Sequence, residues 1–330
     1  MTTSAIISTK DLLPELTLVS QGKVRDIYST SDPNALLFVA TDRISAYDVI
    51  LRNGVPEKGV ILSQLALFWF KRLEKIIPNH LITDDVGQMP PEVRKYKDIL
   101  EGRTMLVRKA KVIPLEAIVR GYITGSAWSE YKRSGTVHGI RVSEGLVESE
   151  KLPEPLFTPS TKAEQGQHDE NIHPDQGIVV ARPVTITFDT LMNTAAKIIG
   201  RDLCDRISSV AVRIYKEAAE YAASRGVILA DTKLEFGLIE LDGQEPQLIL
   251  IDEVLTPDSS RYWPAAGYKP GQSQPSFDKQ YLRDWLTAEG FKKGLESGKD
   301  GQGWTMTDDV VQGTRKRYQE AWDLLTANSK

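Results

Sequence analysis

The residues best suited to chemistry lie between Leu229 and Pro264. Asp231, Lys233 and Glu235 alternate with Leu234 and Phe236, so a β-strand here carries the charged trio on one face and the apolar pair on the other. Asp242-Gly243 supplies a turn, with Pro246 beside it. Leu248 to Ile251 is apolar on both faces and runs into Asp252-Glu253. A register that sets Asp252 opposite Glu235 gathers two carboxylates and a lysine at one end of a hairpin. Mg²⁺ takes oxygen ligands, usually one or two carboxylates with phosphates and water. Glu235 and Asp252 are therefore candidate metal ligands. Zinc fits poorly, because no His-x-x-x-His pair occurs and the lone cysteine, Cys204, is near no other ligand. A salt-bridged edge strand facing water accommodates the same residues.

Two further groups are cationic. Gly22 allows a backbone turn to approach a ligand closely. Lys23 and Arg25, two residues apart, then project to one face, which suits a triphosphate lying over a hairpin. A solvated basic turn is the competing reading. Arg120 precedes a glycine-containing turn, and Ser126 opens a helix-like stretch whose first N–H groups attract anions. With Arg261, whose guanidinium can grip phosphate through two bonds, they form a candidate anion site. Three unrelated surface residues fit the same pattern. His168 and His173 fall in a Pro- and Gln-rich stretch and read as solvated or loop-structuring groups.

The segments Leu16–Val19, Val24–Tyr28 and Leu36–Ala40 predict an antiparallel meander with a turn at Ser31-Asp32-Pro33-Asn34. Leu62, Leu65, Ala66, Trp69, Leu73 and Ile76 form one stripe of a helix over 61–77, ended by Pro78. Strands are expected at Thr104–Val107 and Lys111–Ile113. Ile113-Pro114 is read as a change of direction between two lobes, 1–113 and 114–330. A further strand carries Glu116 and Arg120. The stretch from Ser143 to Gly177 has the length and composition of a functional loop without regular structure. Arg182–Phe188 reads as a strand. Helices are expected at 189–199 and 202–225, each followed by a capping glycine, Gly200 and Gly226. Closing helices follow at 276–289 and 307–325, with Thr307 as N-cap. The fold class is α+β.

The chain has 330 residues, 41% hydrophobic and 26% charged, with a formal net charge of -4. That balance gives no sign of a nucleic-acid or membrane partner. One cysteine excludes an internal disulfide and fits a reducing compartment. Neither a secretory leader nor a membrane-spanning run is evident, so a cytoplasmic protein is expected.

Five motifs occur in order. They are Gly22-Lys23-Val24-Arg25-Asp26, then Thr41-Asp42-Arg43-Ile44-Ser45-Ala46-Tyr47-Asp48, then Ile113-Pro114-Leu115-Glu116 through Arg120 to Thr124-Gly125-Ser126. Leu229 to Gly237 and Asp252 to Arg261 complete the set. Together they resemble the SAICAR synthetase family (phosphoribosylaminoimidazole-succinocarboxamide synthase), over about Gly22 to Arg283, and the chain looks most like its monomeric fungal form. The resemblance implies a two-lobe fold, an antiparallel N-terminal lobe and an ATP-grasp-like lobe with closing helices. It implies that ATP, L-aspartate and the carboxyaminoimidazole ribonucleotide CAIR give SAICAR, ADP and phosphate by way of an acyl phosphate.

By the same resemblance, Gly22, Lys23, Val24 and Arg25 hold the ATP phosphates. Arg108, Ala110 and Val112 hold adenine through the backbone, with Glu116 nearby. Arg120, Ser126 and Arg261 match the grip on the CAIR phosphate. Glu235 and Asp252 match Mg²⁺ ligands, with Lys233 beside them. Lys162 and Asp169 match a loop that closes over the reactants, with Asp169 or solvent taking the proton of the aspartate amine. Lys279 and Arg283 match a late basic pair on one helix face. Ser45 and Asp48 match positions near the CAIR and aspartate pockets. A small-molecule kinase and a nucleotide-binding sensor without catalysis are the alternatives.

Overall fold

The computed structural model describes residues 4–47, 49–161, 188–292, 294–298 and 301–327. The first sheet comprises Leu18–Gln21 (β1), Arg25–Ser29 (β2), Ala35–Ala40 (β3), Leu81–Thr83 (β4) and Thr104–Arg108 (β5), in the order β1-β2-β3-β5-β4 and antiparallel throughout. The expected meander is its first three strands. Alternation works as the pattern requires. Tyr28, Leu37 and Val39 are fully buried on the inner face with Leu13, Val86 and Val93, while Arg25 and Ile27 turn the other way.

The second sheet is built on two long strands, Lys111–Tyr122 (β6) and Val227–Ile239 (β9), paired antiparallel. Lys151–Phe157 (β7) and Ser160–Thr161 (β8) line the outer edge of β6. Ser260–Pro264 (β11) and Gln247–Ile251 (β10) share the outer edge of β9, the first beside its N-terminal half and the second beside its C-terminal half. Two expectations are corrected here. The chain runs through Ile113-Pro114 as one strand, because the register shift between Glu235 and Gly237 falls opposite Pro114, where no ladder N–H is needed. Part of the stretch from Ser143 to Gly177 is strand, since β7 and β8 find a free edge on β6.

Lys58–Leu73 (α1), Gly125–Ser134 (α2), Phe188–Ile199 (α3), Arg201–Ser224 (α4), Gln280–Ala288 (α5) and Asp308–Thr326 (α6) are the longer helices. The first ends four residues before the expected stop, and α5 starts at Gln280 rather than Ser276. Gly200 and Gly226 have the left-handed φ their capping positions predict, 86° and 74°. Phe188 is helical, and the remainder of the strand expected at Arg182–Phe188 lies outside the described residues. The α4 stripe Cys204, Ile207, Ala211, Ile214, Tyr215, Ala218 and Ala222 is buried in the main core. The thiol of Cys204 is pushed up to about 11 by burial, as expected of a structural cysteine.

The sheets meet twice. Lys109-Ala110 carries β5 directly into β6. Leu250 of β10 also donates its N–H to Pro78 O at 2.9 Å and accepts from His80 N at 3.1 Å.

Candidate active site

On β9 the charged trio does share a face, and the neighbouring strands give it partners. Asp231 stands directly between Arg120 on β6 and Arg261 on β11. Glu235 stands beside Glu116 on β6 and Ile251 on β10. This overturns the register expected from the sequence, in which Asp252 opposed Glu235. β10 ends one residue early, and Asp252 leaves it with φ 64°, a left-handed conformation that Asp tolerates better than most residues. That turn aims the carboxylate toward β2, where Arg25 grips it through two bonds of 2.7 and 2.9 Å.

The result is one charged network. Arg25 also lies 3.6 Å from Glu253 and feels Glu235. Lys233 bonds Glu116, lies 3.9 Å from Glu235 and feels Asp252. Burial opposes the charge on Arg25 and Lys233, but the carboxylates outweigh it and hold both groups above their usual values. Four carboxylates (Glu116, Glu235, Asp252, Glu253) thus face two cations, leaving an excess of two negative charges. An all-oxygen set with that excess fits a hard divalent cation that shares its shell with phosphates. Among the described residues, no group of three or more His, Cys, Asp or Glu is arranged to hold a metal ion by itself, so such an ion would need substrate oxygens to complete its shell.

The other end of β9 has the opposite bias. Arg120, 8% exposed at its side chain, lies 3.5 Å from Asp231. It also donates to Thr158 Oγ1 at 3.1 Å and lies 3.2 Å from His138 Nε2. Arg261 is ion-paired to the same Asp231. Asp278 is drawn upward by burial, against the pull of Arg261 and Arg283. Three arginines here meet two aspartates. Gly125, with φ 58°, begins α2 beneath the Arg261 guanidinium, and a Cβ there would sit 3.0 Å from its Nη2. Glycine is thus required for both the turn and the close approach. Ser126 follows in the exposed first turn of α2, where helix N–H groups are unpaired by the helix itself.

The remaining expected residues divide clearly. Gly22 closes the β1–β2 turn by donating to Arg25 O at 2.7 Å, with Lys23 and Val24 between them. Arg108 N donates to His80 O at 2.8 Å. Ala110 packs on Gly237, where a Cβ would lie 2.9 Å away, and Val112 is 47% exposed beside it. Lys279 does not extend with Arg283. It turns to Asp258 at 3.0 Å, while Arg283 lies by Asp278. Ser45 is buried in a short ladder with Ile50 and, among the described residues, joins none of these ion pairs. Asp48, Lys162 and Asp169 lie outside the described residues, as do His168 and His173.

Three groups escaped sequence reasoning. Asp258 is fully enclosed and accepts from Lys58 Nζ and Tyr318 Oη, each at 2.7 Å, as well as from Lys279. Asp278 offers Oδ1 to Gln280 N at 2.7 Å. His80 is packed between Phe38 and Phe70 and hydrogen-bonded to the Asp252 backbone; burial pushes it down to about 4, so it is neutral. Ile77, three residues before His80, and Leu81, directly after it, were the only local signal.

A mixed α+β chain with a cation-accepting and an anion-accepting end on one strand has the layout of a nucleotide-dependent enzyme. Comparison with known proteins gives the family. The family described as SAICAR synthetase matches residues 18–297. The phosphoribosylaminoimidazole-succinocarboxamide synthase of Candida albicans is 55% identical over 309 residues, 94% of each chain. That of Pichia angusta is 52% identical over 320 residues, 95% of this chain and 96% of its own. A solved SAICAR synthase from Saccharomyces cerevisiae, complexed with SAICAR, superposes with a TM-score of 0.79 at 47% identity, over 100% of this chain and 99% of that one. A type-2 SAICAR synthetase in complex with ADP, at 22% identity and a TM-score of 0.61, shares the fold. The chain belongs to the SAICAR synthetase family.

Proposed function

We propose that this chain condenses CAIR with L-aspartate at the cost of ATP, forming SAICAR, ADP and phosphate in purine biosynthesis. The observation that carries this reading is the polarity of β9. Asp231, between two arginines, and Glu235, within the carboxylate network, are four residues apart, about 13 Å of extended chain. An anion-accepting end and a metal-accepting end at that separation suit a nucleotide whose 5′-phosphate and ring carboxylate must both be held. The yeast relative complexed with SAICAR supports the same ligand class.

In this reading Arg120, Arg261 and the N-terminus of α2, with Ser126, take the CAIR phosphate. The β1–β2 turn, with Lys23 and Arg25, takes the ATP phosphates. The backbone from Arg108 to Val112, beside the exposed Val112 side chain, takes adenine. Glu235 and Asp252 would hold Mg²⁺, which would supply charge neutralisation for the reacting anions.

A carboxylate is a poor acyl donor because oxide would have to leave. Attack of a CAIR carboxylate oxygen on the γ-phosphorus releases ADP and makes an acyl phosphate. The neutral aspartate amine then forms the C–N bond, phosphate leaves with the C–O electron pair, and the amine proton passes to solvent or to Asp169. Lys233 and Arg25 are already positioned against the carboxylates, so their charges need no reorganisation as negative charge accumulates. The chain works as a cytoplasmic monomer of two lobes joined through Lys109-Ala110, ahead of the unbroken strand β6.

The test is a coupled assay for ADP with each substrate omitted in turn. ADP release should require both CAIR and L-aspartate. Undiminished ADP release without aspartate would replace the ligase with a kinase, and ATP binding with no turnover would replace it with a sensor.

A further inference from the structure

Arg43 lies in a motif, Thr41 to Asp48, to which the proposed reaction assigns no step. Its side chain is 8% exposed and makes four bonds. Nη1 donates to Ile7 O at 2.7 Å, Nη2 to Gly22 O at 2.8 Å and to Asp26 Oδ1 at 2.7 Å, and Nε to Lys23 O at 3.3 Å. Two of these acceptors are consecutive carbonyls of the β1–β2 turn. The next carbonyl, Val24 O, is held in turn by Thr41, from N at 3.0 Å and from Oγ1 at 2.8 Å.

Peptide planarity turns this into a statement about donors. In a trans peptide the C=O of one residue and the N–H of the next point in opposite directions, and this chain contains no cis bond among the described residues. Drawing Gly22 O and Lys23 O toward Arg43 therefore aims the N–H groups of Lys23 and Val24 away from it. Strand alternation says where they go. Asp26, which holds Arg43, is on the buried face of β2, and Arg25 projects from the other face toward Asp252. Successive N–H groups aimed one way make an anion-binding concavity.

We infer that Arg43 is a positioning residue that orients the Lys23 and Val24 amides onto the ATP phosphates. Its guanidinium is the frame that fixes the turn, and it touches no substrate itself. Lysine cannot replace it, because an ammonium lacks the planar fork that reaches several acceptors at once. The inference rests on the proposed ATP site and adds to it the group that shapes it.

Calorimetry with ADP tests it without turnover. R43K keeps a cation beside Asp26, and its affinity for ADP should fall on the order of tenfold, with the KM for ATP rising in step and the KM for CAIR and for aspartate unchanged. D26N serves as control. It loses stability but leaves the carbonyl bonds of Arg43 in place, so its ADP affinity should be unchanged. Amide hydrogen exchange on the wild-type protein gives an independent readout, since ADP should slow exchange at Lys23 and Val24. Unchanged ADP affinity in R43K, a parallel loss in D26N, or no protection at those two amides would overturn the role of Arg43. A wild-type protein that binds no ADP would overturn the ATP site itself.

Discussion

At the scale of single residues, Asp252 has two attachments of different kinds. Arg25 holds its carboxylate through two bonds, and His80 holds its backbone. Both hold the group in the direction that its left-handed φ gives it, toward β2. Replacing the carboxylate by an amide keeps the shape and removes the charge. Asp252→Asn should fold normally, since Arg25 retains Glu253, and turnover should fall at least about a hundredfold, ~2.7 kcal/mol of transition-state stabilisation. Steady-state turnover beside a thermal melt checks both halves. Near-normal turnover in a folded variant would overturn the proposal that Asp252 holds Mg²⁺.

The same residue shows what could be read beforehand. Its type and its nearness to Glu235 were legible from alternation and from the apolar run before it. The register was not, because one residue in a left-handed conformation ends the ladder, and nothing in Ile251-Asp252-Glu253 announces that. Asp258 was hidden for another reason. Its partner Lys58 is 200 residues away in sequence, and no local periodicity reports a contact of that range.

Elements carry the next level of constraint. β6 was legible as strand material but was divided at Pro114, since proline ordinarily interrupts a ladder. Here the bulge absorbs it, and the unbroken strand delivers Glu116 to the carboxylate-rich end of the site and Arg120 to its arginine-rich end on one face. Gly121, next to Arg120, faces the other way, onto α4. A Cβ at that position would run into the hydroxyl oxygen of Tyr215 and lie 2.6 Å from its Cζ, and that hydroxyl donates to Leu229 O at 2.6 Å. Tyr215 is thus pinned at both its base and its tip and has no room to yield. Gly121→Ala should destabilise the protein by ~1–3 kcal/mol through overpacking, read as a shift of the urea midpoint. Pairing it with Tyr215→Phe should recover part of the loss, because the hydroxyl that the methyl meets, and the hydrogen bond that holds it there, are then absent. Strictly additive losses would mean that the ring is not what Gly121 accommodates.

For the molecule as a whole, Asp258 is the point at which distant segments converge. It sits at the end of the turn that begins at Asp252 and joins the start of α1 through Lys58, the start of α5 through Lys279 and the middle of α6 through Tyr318. Burial raises its carboxyl, yet Lys279 and Lys58 outweigh that and hold it well below the ordinary carboxylate value of 3.8. The sign of the linkage follows. Above about pH 4 the group is ionised in both folded and unfolded chains and its contribution is complete. As the pH falls further, the unfolded chain takes up the proton first, so stability drops until the folded group also protonates. Asp26, lowered by Arg43 and Thr9 against its own burial, acts in the same window. Asp258→Asn leaves two buried ammonium groups short of a counter-charge and should cost ~3–5 kcal/mol at pH 7. Its stability should then decline less steeply than that of the wild type between about pH 4 and pH 2, because one of the protons that drives acid unfolding is gone. Urea midpoints at pH 7, 4 and 3 measure both effects. Parallel pH profiles for the two proteins would place the acid sensitivity elsewhere, whereas convergence at low pH would identify Asp258 as the junction on which the three helices depend.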